Sequence, residues 1–262
     1  MQNSKKNTIS QQALGLLQAS HSDTRDPTVE LIAEAVDQEI VRQNKSRERR
    51  KYLGASSIGD ECARKIQYRY LNYPIDEGRD FSAQTLRIFE FGHVIEEYAA
   101  KWLRDAGFDL RTEDSMGKQF GFSIANDEIK GHIDGVICDG PVAMGYPCLW
   151  ENKSANDKKF KDFVRHGVTK ANPTYAAQLA LYQAYMELSE NPALFTVVNK
   201  NTSEIYYELV PFNAELAQSS SDKAVNILTA SKAGDILPRI AQNKDFFLCK
   251  FCDYRETCWK GE

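Results

Sequence analysis

Glu151 and Lys153 stand two residues apart at the end of an apolar run, "CLWENK". Along a β-strand side chains alternate faces, so both point to the same side. Taken alone, such a pair is a charge contact at a solvated strand end. Asp134, in "GHIDGVI" on the preceding strand-like run, adds to it. Adjacent antiparallel strands bring Asp134 beside Glu151. Two carboxylates with room for water suit Mg²⁺ or Mn²⁺. Such an ion polarises a phosphate and lowers the pKa of a bound water. Lys153 then sits next to that water, orienting it and offsetting charge on the transition state.

The flanking segments offer partners. In "FGHVIEEY", Glu96 falls four residues after Gly92 and is a candidate third carboxylate. Glycine in mid-helix is costly, which predicts a close backbone approach at Gly92. In "YAAQLALYQAY", Gln178 and Tyr182 are four apart and share a helix face. Together they are suited to gripping a backbone phosphate; alone they form a helix-surface hydrogen bond. His132, two residues before Asp134, shares its face and either touches phosphate or makes a structural hydrogen bond. His93 is expected to be structural. Phe89, Phe91 and Trp102 lie at helical spacing and are expected in the core. Two basic stretches, Arg42 to Lys51 and Lys158 to Lys170, read as solvated helix faces or as phosphate-binding tracks. The second follows the Glu151 stretch directly and contains Lys158, Lys159, Lys161 and Arg165.

Elements must hold these residues in place. "DPTVELIAEAVDQEIVRQ" predicts a helix with Asp26 as cap and Pro27 in its first turn. "IGDECARKIQYRYL" reads as a short helix. The clearest helix starts near Ser82 and stops at Gly107. The period then changes to two. "GKQFGFSIA", "IKGHIDGVIC" and "PCLWENK" read as three strands, with "NDE" as a tight turn between the first two. A helix capped by Asn172 with Pro173 at its first position follows, then two strands, "ALFTVVN" and "EIYYELVPF". A long helix over 213–233 leads to a cysteine-rich tail. This order predicts an α/β domain with a mixed sheet.

The chain has 262 residues, 42% hydrophobic and 27% charged, with a formal net charge of -4. That balance excludes a generic basic nucleic-acid coat; it leaves room for a nucleic-acid enzyme whose acidic site sits beside basic patches. No window approaches the roughly 18 apolar residues of a membrane span, and the opening "MQNSKKNTIS" lacks the apolar core of a secretory signal. A cytoplasmic protein without membrane partners is expected. In that compartment six cysteines suggest metal rather than disulfides. Cys249, Cys252 and Cys258 form C-x-x-C-x-x-x-x-x-C, and Cys62 lies far upstream. Thiolates suit iron–sulfur or zinc. Cys138 and Cys148 read as buried small hydrophobes.

Taken in order, G-x-x-x-E, "GHIDG", "WENK" and Q-x-x-x-Y resemble the PD-(D/E)XK nuclease superfamily. The similarity is to its RecB-like branch, which includes lambda-type exonucleases and the nucleases of CRISPR adaptation. It covers roughly residues 54 to 258. Each motif is short, and four in the family's order are specific. The resemblance implies a restriction-endonuclease-like α/β core with a mixed central sheet flanked by helices. It implies metal ligands at Asp134, Glu151 and the backbone carbonyl of Asn152. Some members place a histidine where this chain has Glu96. The one-plus-three cysteines resemble the iron–sulfur nucleases of this branch, in which four cysteines hold a [4Fe–4S] cluster clasping the two ends of the domain. Zinc is the less favoured alternative. The expected division is an N-terminal helical, partly disordered extension over 1–53 and a nuclease domain over 54–262. The expected activity is that of a Mg²⁺- or Mn²⁺-dependent DNA nuclease. An exonuclease is favoured, acting on single-stranded DNA or DNA with free ends in recombination, repair or phage DNA metabolism. A helicase, recombinase or annealing protein is the expected protein partner. The rivals are a sequence-specific endonuclease of the same fold and a non-catalytic DNA-binding or assembly subunit.

Overall fold

The computed structural model describes residues 26–260. Its first helix, α1 (Pro27–Ser46), is capped by the Asp26 carboxylate, which accepts from the Thr28 N–H, and Pro27 occupies the first turn. Two compact units divide the chain. Among the described residues, one is formed by residues 26–47 together with Ser82–Leu86, the other by Glu48–Phe81 and residues 87–260. No residue of α1 is buried. The remaining description concerns the second unit.

That unit starts with β1 (Leu53–Gly54) and two short helices, α2 (Ala55–Ile58) and α3 (Ala63–Tyr70). Most of α4 (Ala83–Asp105) follows, then β2 (Leu110–Arg111), β3 (Gly121–Ile124), β4 (Ile129–His132), β5 (Gly135–Ile137) and β6 (Cys148–Ala155). Helices α5 (Asp157–Ala171) and α6 (Pro173–Tyr185) lead to β7 (Ala193–Asn199), β8 (Ile205–Val210) and α7 (Ala214–Ala233). The tail carries two short helices, α8 (Phe247–Lys250) and α9 (Arg255–Trp259).

The strands form two mixed sheets. The larger has the order β2-β5-β6-β7-β8; β6 and β7 run parallel and the other pairs antiparallel. The smaller has the order β1-β4-β3, with β1 parallel to β4. The run "IKGHIDGVIC", expected as one strand, is therefore two strands in two sheets. The break falls at Ile133 and Asp134, and it frees the Asp134 carboxylate from a regular ladder position. The β3–β4 turn lies where "NDE" predicts it, with Ala125, Asn126 and Asp127 all at positive φ. Helix α5 covers the basic stretch read as a solvated helix face or a phosphate-binding track. Asn156 starts it by accepting from the Lys159 N–H. At Gly167 the chain turns through φ 70°, and the Glu208 carboxylate restarts the helix by accepting from the Val168 N–H at 2.8 Å.

The period of two sorts β6 between two cores. Leu149 and Ala155 belong to a large core shared with α2, α3, α5, α6 and α7. Cys148 and Trp150 face the other way, packing with Ala99, Ala100 and Leu103 of α4. Cys148 is buried as expected, whereas Cys138 lies past the end of β5 and is half-buried. Phe89, Phe91 and Trp102 are 47%, 60% and 43% exposed, contrary to the expectation that they are core. The inner face of α4 is built from small residues and Leu103, so the aromatic stripe falls outside. Gly92 is also not a forced close approach, since a Cβ there would meet only Ser154 Oγ at 3.8 Å.

The tail returns to α3. Gln67, fully buried, donates to Ser231 Oγ and the Asp235 carbonyl and accepts from the Leu237 N–H at 2.8 Å. Asp76 accepts from the Glu256 and Thr257 N–H groups at the start of α9. Replacing Gln67 with Leu keeps much of the volume but strands the Leu237 N–H and Asp235 C=O without partners. The expected loss is about 2–4 kcal/mol, read as a lower urea midpoint at unchanged slope. A midpoint equal to that of the parent would show that the clamp is not stabilising.

Candidate active site

Strand β6, expected to end at its charged residues, instead carries them at its centre and runs on to Ala155. Glu151 and Lys153 lie on the same face of it, and the Lys153 ammonium contacts Glu151 Oε1. The same oxygen accepts from Gln178 Nε2 on α6 at 2.5 Å. Glu151 is 1% exposed, and its second oxygen, Oε2, is buried with no hydrogen-bond partner. Asp134, at the junction of β4 and β5, accepts the Asn152 N–H at 2.8 Å through Oδ2. The Asn152 amide oxygen accepts from Thr196 Oγ1 at 2.8 Å, and Trp150 Nε1 donates to that hydroxyl. These bonds fix the backbone between the acid and the lysine.

Two turns of α6 close one side. Gln178 and Tyr182 are both buried there, and Tyr182 packs edge-on against Phe122 of β3. Gly131 of β4 makes this contact possible: a Cβ there would stand 2.8 Å from the Tyr182 ring and 2.5 Å from Phe122. Helix α4 closes another side. Glu96 points into a cleft of about 490 Å³ that is also lined by Arg50, His93, Arg104, His132 and Asp134. Within α4, His93 Nδ1 lies 4.0 Å from Glu96, and its side chain is 80% exposed, so it has no structural role of the kind expected.

The carboxylates are electrostatically uncomfortable. Burial, then the Asp134 charge, pushes Glu151 up to about 8. Burial and Asp134 likewise push Glu96 up to about 7. Burial also raises Asp134, against the pull of Lys153 and the Asn152 N–H. Burial works against charge on Lys153, but Glu151 and Asp134 outweigh it and hold the ammonium protonated. Burial, with Glu151 nearby, raises the Tyr182 phenol.

This donor set fits a hard divalent cation. All three acids are raised by burial, each beside another carboxylate or a lysine, and one buried oxygen lacks a partner. As the side chains stand, no three His, Cys, Asp or Glu among the described residues surround a common point. Glu151 is turned toward Lys153 and Gln178, which act as internal counter-ion and donor.

Other expected residues lie elsewhere. Lys159 and Lys161 of α5 pair with Asp162 and Asp157 on the same helix, each at 2.8 Å. Lys158 and Arg165 are exposed. None of the four lines the cleft. Arg104, which does line it, was not anticipated, and Arg50, which also lines it, lies in the basic stretch Arg42 to Lys51. Arg104 was legible in principle: 96, 100 and 104 follow a four-residue step along one helix face. Its guanidinium donates to the Leu110 carbonyl and to Thr112 Oγ1, both at 2.9 Å. Cys62, Cys249, Cys252 and Cys258 all border one cavity, remote from the Asp134 cleft in its lining residues.

No family model matches this chain, and no curated protein matches it. Solved structures do match. LHK-Exo in complex with dAMP aligns with a TM-score of 0.51 and 13% identity, over 71% of this chain and 90% of that one. The fold is similar to that of LHK-Exo. A second structure of this alkaline exonuclease, from Laribacter hongkongensis, aligns with a TM-score of 0.48 and 13% identity, over 75% and 93% of the two chains. SSO0001 aligns with a TM-score of 0.43 and 14% identity, over 85% and 94%. No helix among the described residues is long and apolar enough to cross a membrane.

A carboxyl whose pKa rises on folding binds protons more tightly in the folded state. Without divalent cations, stability therefore falls as pH climbs from near 4.5 through the values of about 7 for Glu96 and about 8 for Glu151. Melting temperatures of the metal-free protein should decline across this window, and Mn²⁺ should restore more at the alkaline end than at the acid end. Glu96→Gln should flatten the decline. A metal-free melting temperature that rises from pH 5 to 8 would contradict the assignment.

Proposed function

We propose that this chain is a Mg²⁺- or Mn²⁺-dependent DNA nuclease of the RecB-like kind that degrades DNA from its ends. The observation that carries this reading is the Glu151 carboxylate, buried in the middle of β6 and shared between Lys153 and Gln178, with Asp134 across the strand gap. Likeness in fold to an exonuclease crystallised with dAMP supports DNA as the substrate. In this reading Asp134, Glu151 and the Asn152 carbonyl hold the ion, with Glu96 as a further ligand. The bound ion supplies Lewis acidity toward a phosphate oxygen and lowers the pKa of water.

The chain's own groups do the rest. If Glu151 were to share an ion with Asp134, Lys153 would be free to donate to the attacking water or a phosphate oxygen. Its ammonium lies over the Tyr175 ring, 5.3 Å from the centroid. Gln178 acts through its bond to Glu151, and buried Tyr182 packs beside it on the same helix. His132 and Arg104 flank the strand at the cleft wall, and Lys158, Lys159, Lys161 and Arg165 track phosphates farther out. Protein partners of the helicase, recombinase or annealing type belong to the same reading.

Lys153→Ala should reduce turnover of end-labelled DNA by roughly 10²-fold or more while DNA affinity changes little. EDTA should abolish cleavage by the parent. Parent-like turnover by Lys153→Ala, or cleavage in excess EDTA, would sink the mechanism.

We also propose that Cys62, Cys249, Cys252 and Cys258 hold a [4Fe–4S] cluster clasping the tail to α3. Supporting this, the four sulfurs border one cavity together with Arg64, Lys65, Arg239 and Arg255, whose charges offset thiolates. Arg64 donates to Cys258 Sγ at 3.6 Å and the Tyr254 N–H to Cys252 Sγ at 3.5 Å. As they stand, no three of these cysteines are grouped to hold a metal ion, and the preference for a cluster over zinc rests on the resemblance alone. Protein purified without oxygen should be brown with about four irons per chain. Cys252→Ser should bleach it and lower the melting temperature. Colourless, active protein with one zinc per chain would overturn the cluster and leave the nuclease reading intact.

A further inference from the structure

A second cavity, of about 330 Å³, adjoins the Asp134 cleft. Arg49, Arg50, Arg69, Tyr52 and Phe81 line it, and Arg50 lines the cleft as well. One wall is thus common to both. The volume is that of a site for a molecule the size of a single nucleotide. It is far too small for a duplex.

Its chemistry is cationic and aromatic. Three arginines face one carboxylate, Asp253, which pairs with Arg69 at 3.2 Å. Arg49 donates to the Tyr73 carbonyl. Arg50 is held differently. Its guanidinium lies over the Tyr52 ring, 5.9 Å from the centroid, and Lys130 Nζ approaches the same ring at 5.6 Å. A ring positions Arg50 without consuming its hydrogen-bond donors. Phe81 is 43% exposed at the cavity, braced edge-on by Phe89 at 5.2 Å. A large exposed aromatic next to arginines with donors to spare is the arrangement that binds single-stranded nucleic acid: cations take the phosphates and the ring takes a base.

We propose that this cavity is a subsite for one unpaired nucleotide of the substrate strand. Phe81 stacks on its base, and Arg50 holds the phosphate that joins it to the nucleotide in the cleft. The inference rests on the nuclease reading and adds to it a requirement for an unpaired nucleotide beside the scissile bond. It also accounts for part of the basic stretch Arg42 to Lys51, since Arg49 and Arg50 become phosphate ligands while the residues of α1 do not take part.

The test is binding in the Lys153→Ala background, which prevents cleavage. Three DNAs are compared by fluorescence anisotropy: a single strand, a duplex with a short single-stranded tail, and a blunt duplex. Phe81→Ala should weaken the single strand and the tailed duplex roughly tenfold and leave the blunt duplex unchanged. Phe81→Tyr, which keeps the ring, should bind like the parent. Phe81→Leu keeps apolar bulk without the ring and should behave like Phe81→Ala, which separates stacking from packing. Arg50→Gln should lower the slope of log affinity against log salt on single strands by about 0.7. A single strand held equally by Phe81→Ala and the parent overturns the subsite, as does an equal loss on all three DNAs. If the parent binds none of the three, the nuclease reading fails and the subsite with it.

Discussion

Water does not reach Glu151, and most of the site follows from that. A carboxylate in such a place stays charged only if other groups supply what water would have supplied. Lys153 and Gln178 converge on one oxygen, and the other is left bare. Asp134 makes matters worse by bringing a second negative charge, and it is anchored where it is by a backbone N–H. A protein selected for stability alone would have an apolar residue at 151, like Leu149 and Trp150 before it. The arrangement stores unfavourable electrostatics in the middle of the central strand, which a positive charge from outside would relieve.

Position 151 also sets demands on the surrounding fold. The parallel pairing of β6 with β7 places fully buried neighbours on both sides, so β6 cannot shift register without exposing Trp150 and Leu149. The loss of side-chain volume at Gly131 lets Tyr182 and Phe122 meet over the site. Small residues on the inner face of α4 bring Glu96 close. Each of these is a packing decision whose effect is to hold acids near one another.

Much of this was legible from residue spacing. Alternation on "CLWENK" placed Glu151 and Lys153 on one face, and capping signals located α6 and α7 closely. The misses have physical causes. The division of "IKGHIDGVIC" between two sheets is a tertiary event with no local breaker to announce it. The restart of α5 after Gly167 had no local signal, because the residue that caps it, Glu208, lies on β8. Aromatic residues at helical spacing on α4 looked like core; periodicity reveals a stripe but not which stripe the sheet receives. Arg50 lies in a basic stretch visible in the sequence, but no spacing rule says that it lines the cleft.

Gln67 has a further consequence, one of timing. Its three partners, Ser231, Asp235 and Leu237, are made more than 160 residues after it. Synthesis runs from the N-terminus, and domains fold as units when their contacts become available. Throughout translation of the sheet, the Gln67 amide therefore has only water to bond. α3 can lock only once the residues through Leu237 have emerged. A chain broken off within α7 has every acid of the cleft but an unlatched wall, and such a chain is more open to proteolysis than one read past Leu237.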